Sequence, residues 1–272
     1  MTSYFDDAFE RLIQLHRQVS ELNPALGQCY PVAIVERGHL LIYDFFPEDG
    51  RYHFVKPIPL PMPVPKGIRA AFPLEGYDNQ MACVVSPDVF DSPDGYITIL
   101  HEFVHCYQFE TCEQALKMNL DIARKAQEVG DFMWEIQHPF PYGSKNFIHG
   151  YSGFLKAIER NDPAEILNIR CELRTYLGRH DYEYMAWQEW KEGFARWVEN
   201  LIKQQLGLPE NVRGMEKPFS RILFYMGGAA YIEHLALHVP AIVGDLVALF
   251  SRIYRVDPIV NKGENGQGVT NP

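Results

Sequence analysis

The chain has 272 residues, 47% of them hydrophobic, enough to bury a core in one large or two small domains and to make disorder an unneeded explanation. Its net charge of −10 and pI near 5.5 argue against nucleic acid or an anionic membrane as the main partner, since both demand a basic face. No apolar run is long enough to span a bilayer, and the first residues lack the basic and apolar regions of a secretory leader, so a cytoplasmic location is expected.

Residues 4–22 place Phe5, Phe9, Leu12, Ile13, Leu15, His16 and Val19 at helical spacing, with acidic residues in the first turns and Asn23-Pro24 as the stop. Three strand-like runs follow at 30–36, 39–46 and 51–56, separated by turn residues at Arg37-Gly38 and Pro47 to Gly50, and an antiparallel meander is expected. Prolines at 57, 59, 61, 63 and 65 predict an extended connector. A further strand is read at 81–86, as a sheet edge along which an extended peptide would pair. The five cysteines are odd in number and show no zinc-ribbon spacing, so reduced thiols are expected.

Asp91 or Ser92, followed by Pro93, opens a helix predicted over 94–110. It carries His101-Glu102-Phe103-Val104-His105, the H-E-x-x-H pattern. Residues i and i+4 share a helix face, so His101 and His105 point the same way and can grip one metal ion. Two imidazoles suit zinc, and Glu102 is turned toward the open side of that ion, where a carboxylate can move a proton to and from water. Ile97, Ile99, Leu100, Phe103 and Val104 predict a buried helix, in which such polar groups are costly unless paired or bound to metal. The competing reading is two core histidines capped by backbone carbonyls, with Glu102 reaching solvent. Cys106 faces away from the metal side and reads as core.

Downstream, helices are predicted at 113–129, 151–160, 163–177, 181–206, 219–238 and 241–254, with an irregular aromatic stretch at 131–150 that walls a cleft or forms a lid and a frayed tail at 261–272. A catalytic zinc takes three protein ligands. The metzincin extension would need a glycine and a further histidine where the chain has Gln108 and Thr111, which excludes that branch. The long helix offers Glu189 and Glu192 in the stretch Trp187-Gln188-Glu189-Trp190-Lys191-Glu192-Gly193-Phe194-Ala195.

H-E-x-x-H followed at a distance by a helical Glu resembles the gluzincins, which include thermolysin-like peptidases and zinc aminopeptidases. Glu192-Gly193-Phe194-Ala195 looks like the segment around the zinc-binding Glu of the aminopeptidases. The resemblance implies that His101, His105 and Glu192 hold Zn2+ and that Glu102 is catalytic. It covers two short segments. Here 86 residues separate His105 from Glu192, and Arg196 stands where thermolysin-like enzymes place the Asp that orients a ligand histidine, so that partner must come from elsewhere. Glu189 is the rival ligand, Asp121 a more remote one. A salt-bridged face shared with Lys191 and Arg196 is the ordinary alternative for both glutamates.

Gluzincins add a Tyr or His that stabilises the oxyanion. The stretch 224–234 is the natural place for it, with Tyr225 preferred and Tyr231, His234 and His180 behind it. Gly193 would let a second helix approach closely. The fold expected is α+β and zincin-like: a small N-terminal antiparallel sheet plus the metal-binding helix over 1–112, and a helical half over 113–272 that carries the third ligand, together one catalytic unit. The function expected is a zinc-dependent metallopeptidase acting on a peptide or small amide. The alternatives are a zinc hydrolase of a non-peptide amide or ester, and a catalytically silent zincin-like binding module. Oligomeric state is not legible.

Overall fold

The computed structural model describes residues 5–60 and 63–255. The tail expected to fray lies outside the described residues, as does Pro61. The chain is α+β, with one five-stranded sheet near its start and helices through the rest. No helix among the described residues is long and apolar enough to cross a membrane.

Helix α1 (Asp6–Val19) buries Phe9, Leu12, Ile13 and Val19. Asn23 ends this part of the chain by accepting from the Ala25 N–H at 2.9 Å and starting a short 3-10 turn. The sheet contains β1 (Val32–Glu36), β2 (His39–Phe46), β3 (Arg51–Pro59), β4 (Arg69–Leu74) and β5 (Gln80–Val85) in the order β3-β2-β1-β5-β4. The β1–β3 meander forms as expected. Arg37 and Gly38 turn tightly at φ 46° and 80°, which sets Glu36 opposite His39.

Three features differ from the sequence reading. First, the sheet is mixed: β5 runs parallel to β1, because the chain leaves β3 at one edge, forms β4 at the other and returns inward. β5 is therefore an inner strand and β3 and β4 are the edges. Second, β3 continues through Pro57 and Pro59, which face Leu41 and His39. An edge strand tolerates the missing N–H groups. Third, β4 was not expected, since its sequence Arg-Ala-Ala-Phe-Pro-Leu has little β-branched character and contains a proline.

Side chains alternate across the sheet. Val32, Ile34, Cys83 and Val85 join the large core under the helices, while Ala33, Ile42, Ala82 and Val84 form a smaller cluster on the opposite face. Helix α2 (Pro93–Gln108) lies on the large-core face and packs against β4 and β5. The Ser92 hydroxyl caps it by accepting from the Gly95 N–H at 3.2 Å. A π-helical turn, Phe109–Glu113, leads to α3 (Gln114–Lys117) and α4 (Asp121–Val129), so the single helix expected over 113–129 is divided. The aromatic stretch contains α5 (Trp134–Gln137), and α6 (Lys145–Glu159) starts earlier than expected.

Helix α7 (Pro163–Gln205) spans both helices expected at 163–177 and 181–206. Gly178 breaks it at φ 70°, ψ 176°, a conformation suited to glycine. The N-terminal arm is capped by Asp162, and the second arm runs through the centre of the molecule, where Trp187, Trp190 and Phe194 are wholly buried. Helix α8 (Ile222–His238) crosses this arm, and α9 (Leu246–Tyr254) covers the far side. The α7–α8 crossing depends on two glycines. A Cβ on Gly193 would lie 2.6 Å from the Gly228 Cα, and one on Gly228 would lie 2.3 Å from the Glu189 carbonyl oxygen.

Candidate metal centre

Helix α2 presents His101 and His105 toward the central arm of α7, and Glu192 meets them from that arm. The Glu192 Oε2 lies 3.4 Å from His105 Nε2 and 4.0 Å from His101 Nε2. Potential ligand atoms of the three residues all fall within 4.8 Å of one another, an arrangement able to hold a metal ion. The side chains are 10%, 9% and 15% exposed for His101, His105 and Glu192, so the cluster is nearly enclosed yet reached by solvent.

The remaining ring nitrogens are oriented by residues that sequence reasoning did not assign. His101 Nδ1 donates to Glu199 Oε2 at 3.1 Å, and His105 Nδ1 donates to Gln108 Oε1 at 2.8 Å. With a proton on each Nδ1, both Nε2 lone pairs face Glu192, as metal ligation requires. Gln108 is itself fixed by donating to the Lys191 carbonyl at 3.1 Å. Glu199 accepts from Asn211 Nδ2 at 2.8 Å, and Arg196 Nε lies 3.3 Å from it. The partner missing at position 196 is thus supplied one turn later, at i+7 from Glu192 on the same helix face. That spacing is the signal that could have found it.

Electrostatics favour positive charge where the two Nε2 atoms converge. Burial opposes charge on His105, but Glu192 outweighs it and pushes the imidazole up to about 9. Burial also opposes charge on Glu192, and His105 overcomes it, holding the carboxyl well below the usual range. Burial raises Glu102, opposed by His105 and His101 and reinforced by Glu192. Glu102 is buried beside the cluster rather than extended to solvent. Two imidazoles, an ionised carboxylate and acceptors behind both rings together fit a transition-metal ion, which would take the place of the proton that Glu192 draws onto His105.

Tyr225 arrives from α8. Burial, and then Glu192 within hydrogen-bonding reach, push its phenol far up, so it remains a protonated donor. The other candidates are engaged elsewhere. Tyr231 packs on the Arg170 guanidinium at 5.0 Å and on Phe154. His234 stacks on Tyr231 and lies against His238, while His180 and Asp121 pair with each other at 2.8 Å. Glu189, the rival ligand, has both oxygens occupied: Oε1 accepts from the Tyr151 hydroxyl and Oε2 from Arg170 Nη1, each at 2.9 Å. Cys106 sits in the core, and all five cysteines are free thiols.

The aromatic stretch forms a clamped wall. Glu135 accepts from Lys191 Nζ and Trp187 Nε1 and pairs with Lys117, while its backbone carbonyl accepts from Gln188 at 2.8 Å. Glu113 on the π-helical turn also accepts from Lys191 at 2.9 Å and pairs with Lys117 at 3.1 Å. These ion pairs tie the segments on either side of α4 to the helix that carries Glu192. No family model, curated protein or solved structure matches this chain.

Proposed function

We propose that the chain is a zinc-dependent peptidase of gluzincin type, with a zincin-like arrangement of sheet, metal helix and ligand-bearing helix. The observation that carries this reading is the convergence of His101, His105 and Glu192, far apart in sequence, with Glu102 buried beside them. Ligand atoms around a tetrahedral zinc ion lie about 3.3–3.5 Å apart, close to the 3.4 and 4.0 Å separations here. Zinc held by these three residues would supply Lewis acidity and lower the pKa of water at the site.

Glu102 is the general base and acid. Its carboxylate takes a proton from the attacking water as the oxygen bonds to the carbonyl carbon, then passes that proton to the amine nitrogen as the C–N bond breaks. Its burial suits the role, since a raised carboxyl holds the proton between the two transfers. The Tyr225 hydroxyl donates to the oxygen that gains negative charge. Glu199 and Gln108 hold the two imidazoles in the ligating tautomer.

The test combines metal content with turnover. Protein purified without added metal should carry one zinc per chain, and His101→Ala should lose it. Glu102→Gln should keep the metal and lose hydrolysis of a peptide library. Full hydrolysis by Glu102→Gln would falsify the mechanism.

A further inference from the structure

Three cationic side chains adjoin Glu192 or contact Tyr225. Lys191 is committed to Glu113 and Glu135. Arg196, 5.8 Å from the centre of the Tyr225 ring, pairs with Glu199 and donates to the carbonyls of Asn211 and Arg213. Arg221 lies 5.6 Å from the centre of the same ring and has no carboxylate partner among the described residues. It precedes Tyr225 by four residues at the start of α8, so both share the face turned toward α7. Its charge also reaches the phenols of Tyr142 and Tyr184, on the aromatic wall and on α7.

The Arg221 guanidinium thus lies beside a buried phenol without a carboxylate partner among the described residues. Its planar fork matches a carboxylate in bidentate fashion. Lys191 and Arg196 are already paired with carboxylates, so among the described cations adjoining Glu192 or Tyr225 Arg221 is the one without such a partner. We propose that Arg221 receives the C-terminal carboxylate of the substrate, which makes the enzyme a carboxypeptidase that releases one or two residues. One helical turn, about 5–6 Å, separates Arg221 from Tyr225, and one to two residues of extended peptide cover that span at about 3.3–3.6 Å each. The proposal rests on the peptidase reading of the same site.

The test is direct binding, which needs no turnover. Acetyl-Ala-Ala-Phe, its C-terminal amide and acetyl-Ala-Ala-Glu-amide are titrated calorimetrically into the 272-residue chain carrying Glu102→Gln, which should keep the metal site without cleaving the peptide, supplied with zinc. The free acid should bind about 10- to 100-fold more tightly than the neutral amide, as a charge-assisted bidentate contact requires. Arg221→Gln should abolish the preference with its circular dichroism unchanged, and Arg221→Lys should restore part of it. Equal binding of acid and neutral amide, no saturable binding of the acid, or a preference that survives in Arg221→Gln overturns the proposal. Binding of the Glu amide as tightly as the acid puts the carboxylate on a side chain and overturns the C-terminal assignment. Loss of hydrolysis in Glu102→Gln with no acid preference leaves the peptidase reading standing and removes this one. An acid preference in a chain that takes up no zinc and cleaves nothing overturns the peptidase reading and the carboxypeptidase assignment with it, and leaves only carboxylate binding at Arg221.

Discussion

Arg170 and Glu189 form an ion pair with side chains only 1% and 0% exposed. The pair joins the two arms of α7 across the Gly178 break, and Arg170 also donates to the Ile253 carbonyl at 2.7 Å. Burial works against charge on Arg170, but Glu189 outweighs it and keeps the guanidinium firmly charged. Arg170→Met leaves an isolated carboxylate in the core, with only the Tyr151 hydroxyl donating to it. Breaking a buried pair in this way costs about 3–5 kcal/mol. At about 2–4 °C per kcal/mol, Tm should fall by roughly 10 °C. Glu189→Leu should cost a similar amount, and the double variant should be less destabilised than the sum of the singles by at least about 2 kcal/mol. Urea denaturation followed by circular dichroism measures each arm. The reasoning also requires Glu189→Gln to retain bound metal while Glu192→Gln loses it. An Arg170→Met variant within 1 kcal/mol of the parent, or metal lost from Glu189→Gln, would refute the assignment of Glu189 to structure and Glu192 to ligation.

Two further outcomes are expected. Glu199→Gln weakens the acceptor behind His101 and should lower zinc affinity about 10- to 100-fold in a competitive chelator titration, so unchanged affinity would remove Glu199 from its orienting role. For Glu135, burial raises the carboxyl, but Lys191 and Lys117 outweigh it and bring it down to about 2. A depressed folded value stabilises the protein above the unfolded carboxylate range, and this contribution is lost as pH falls through the folded value. The parent should therefore lose about 2–3 kcal/mol between roughly pH 4.5 and 2 from this group. Glu135→Gln should start less stable at neutral pH and show a shallower acid limb. Parallel pH–stability curves for parent and variant would count against the assignment.

The helix that carries His101 and His105 was readable because its signals are local: a Ser-Pro start, an apolar run and two histidines four apart. Gly193 was likewise legible as a point of close helix approach, and Gly228 meets it there. Choosing Glu192 over Glu189 from sequence needed the likeness of one short segment, since both lie on nearly the same face. What separates them is the Arg170 and Tyr151 contacts to Glu189, which come from distant parts of the chain. Glu199 and Gln108 escaped although they stand at helical spacing, seven residues after Glu192 and three after His105, because spacing does not say which polar side chain meets a ring nitrogen. In the sheet, prolines misled. Pro57 and Pro59 read as the end of β3 and Pro73 hid β4, yet both strands lie at edges where a missing N–H is tolerated.

At the Gly193–Gly228 crossing, main chain rests on main chain with no side chain between. Such a contact has no rotamers to adjust, so one rod cannot roll or slide over the other without a collision. The spacing from Glu192 to Tyr225 and Arg221 is therefore set by backbone alone, and substitutions in the surrounding aromatic core can be absorbed without altering the reach of the site. Under the proposed peptidase function, a change in the substrate taken would come from exchanging residues at the start of α8, not from repositioning the helix.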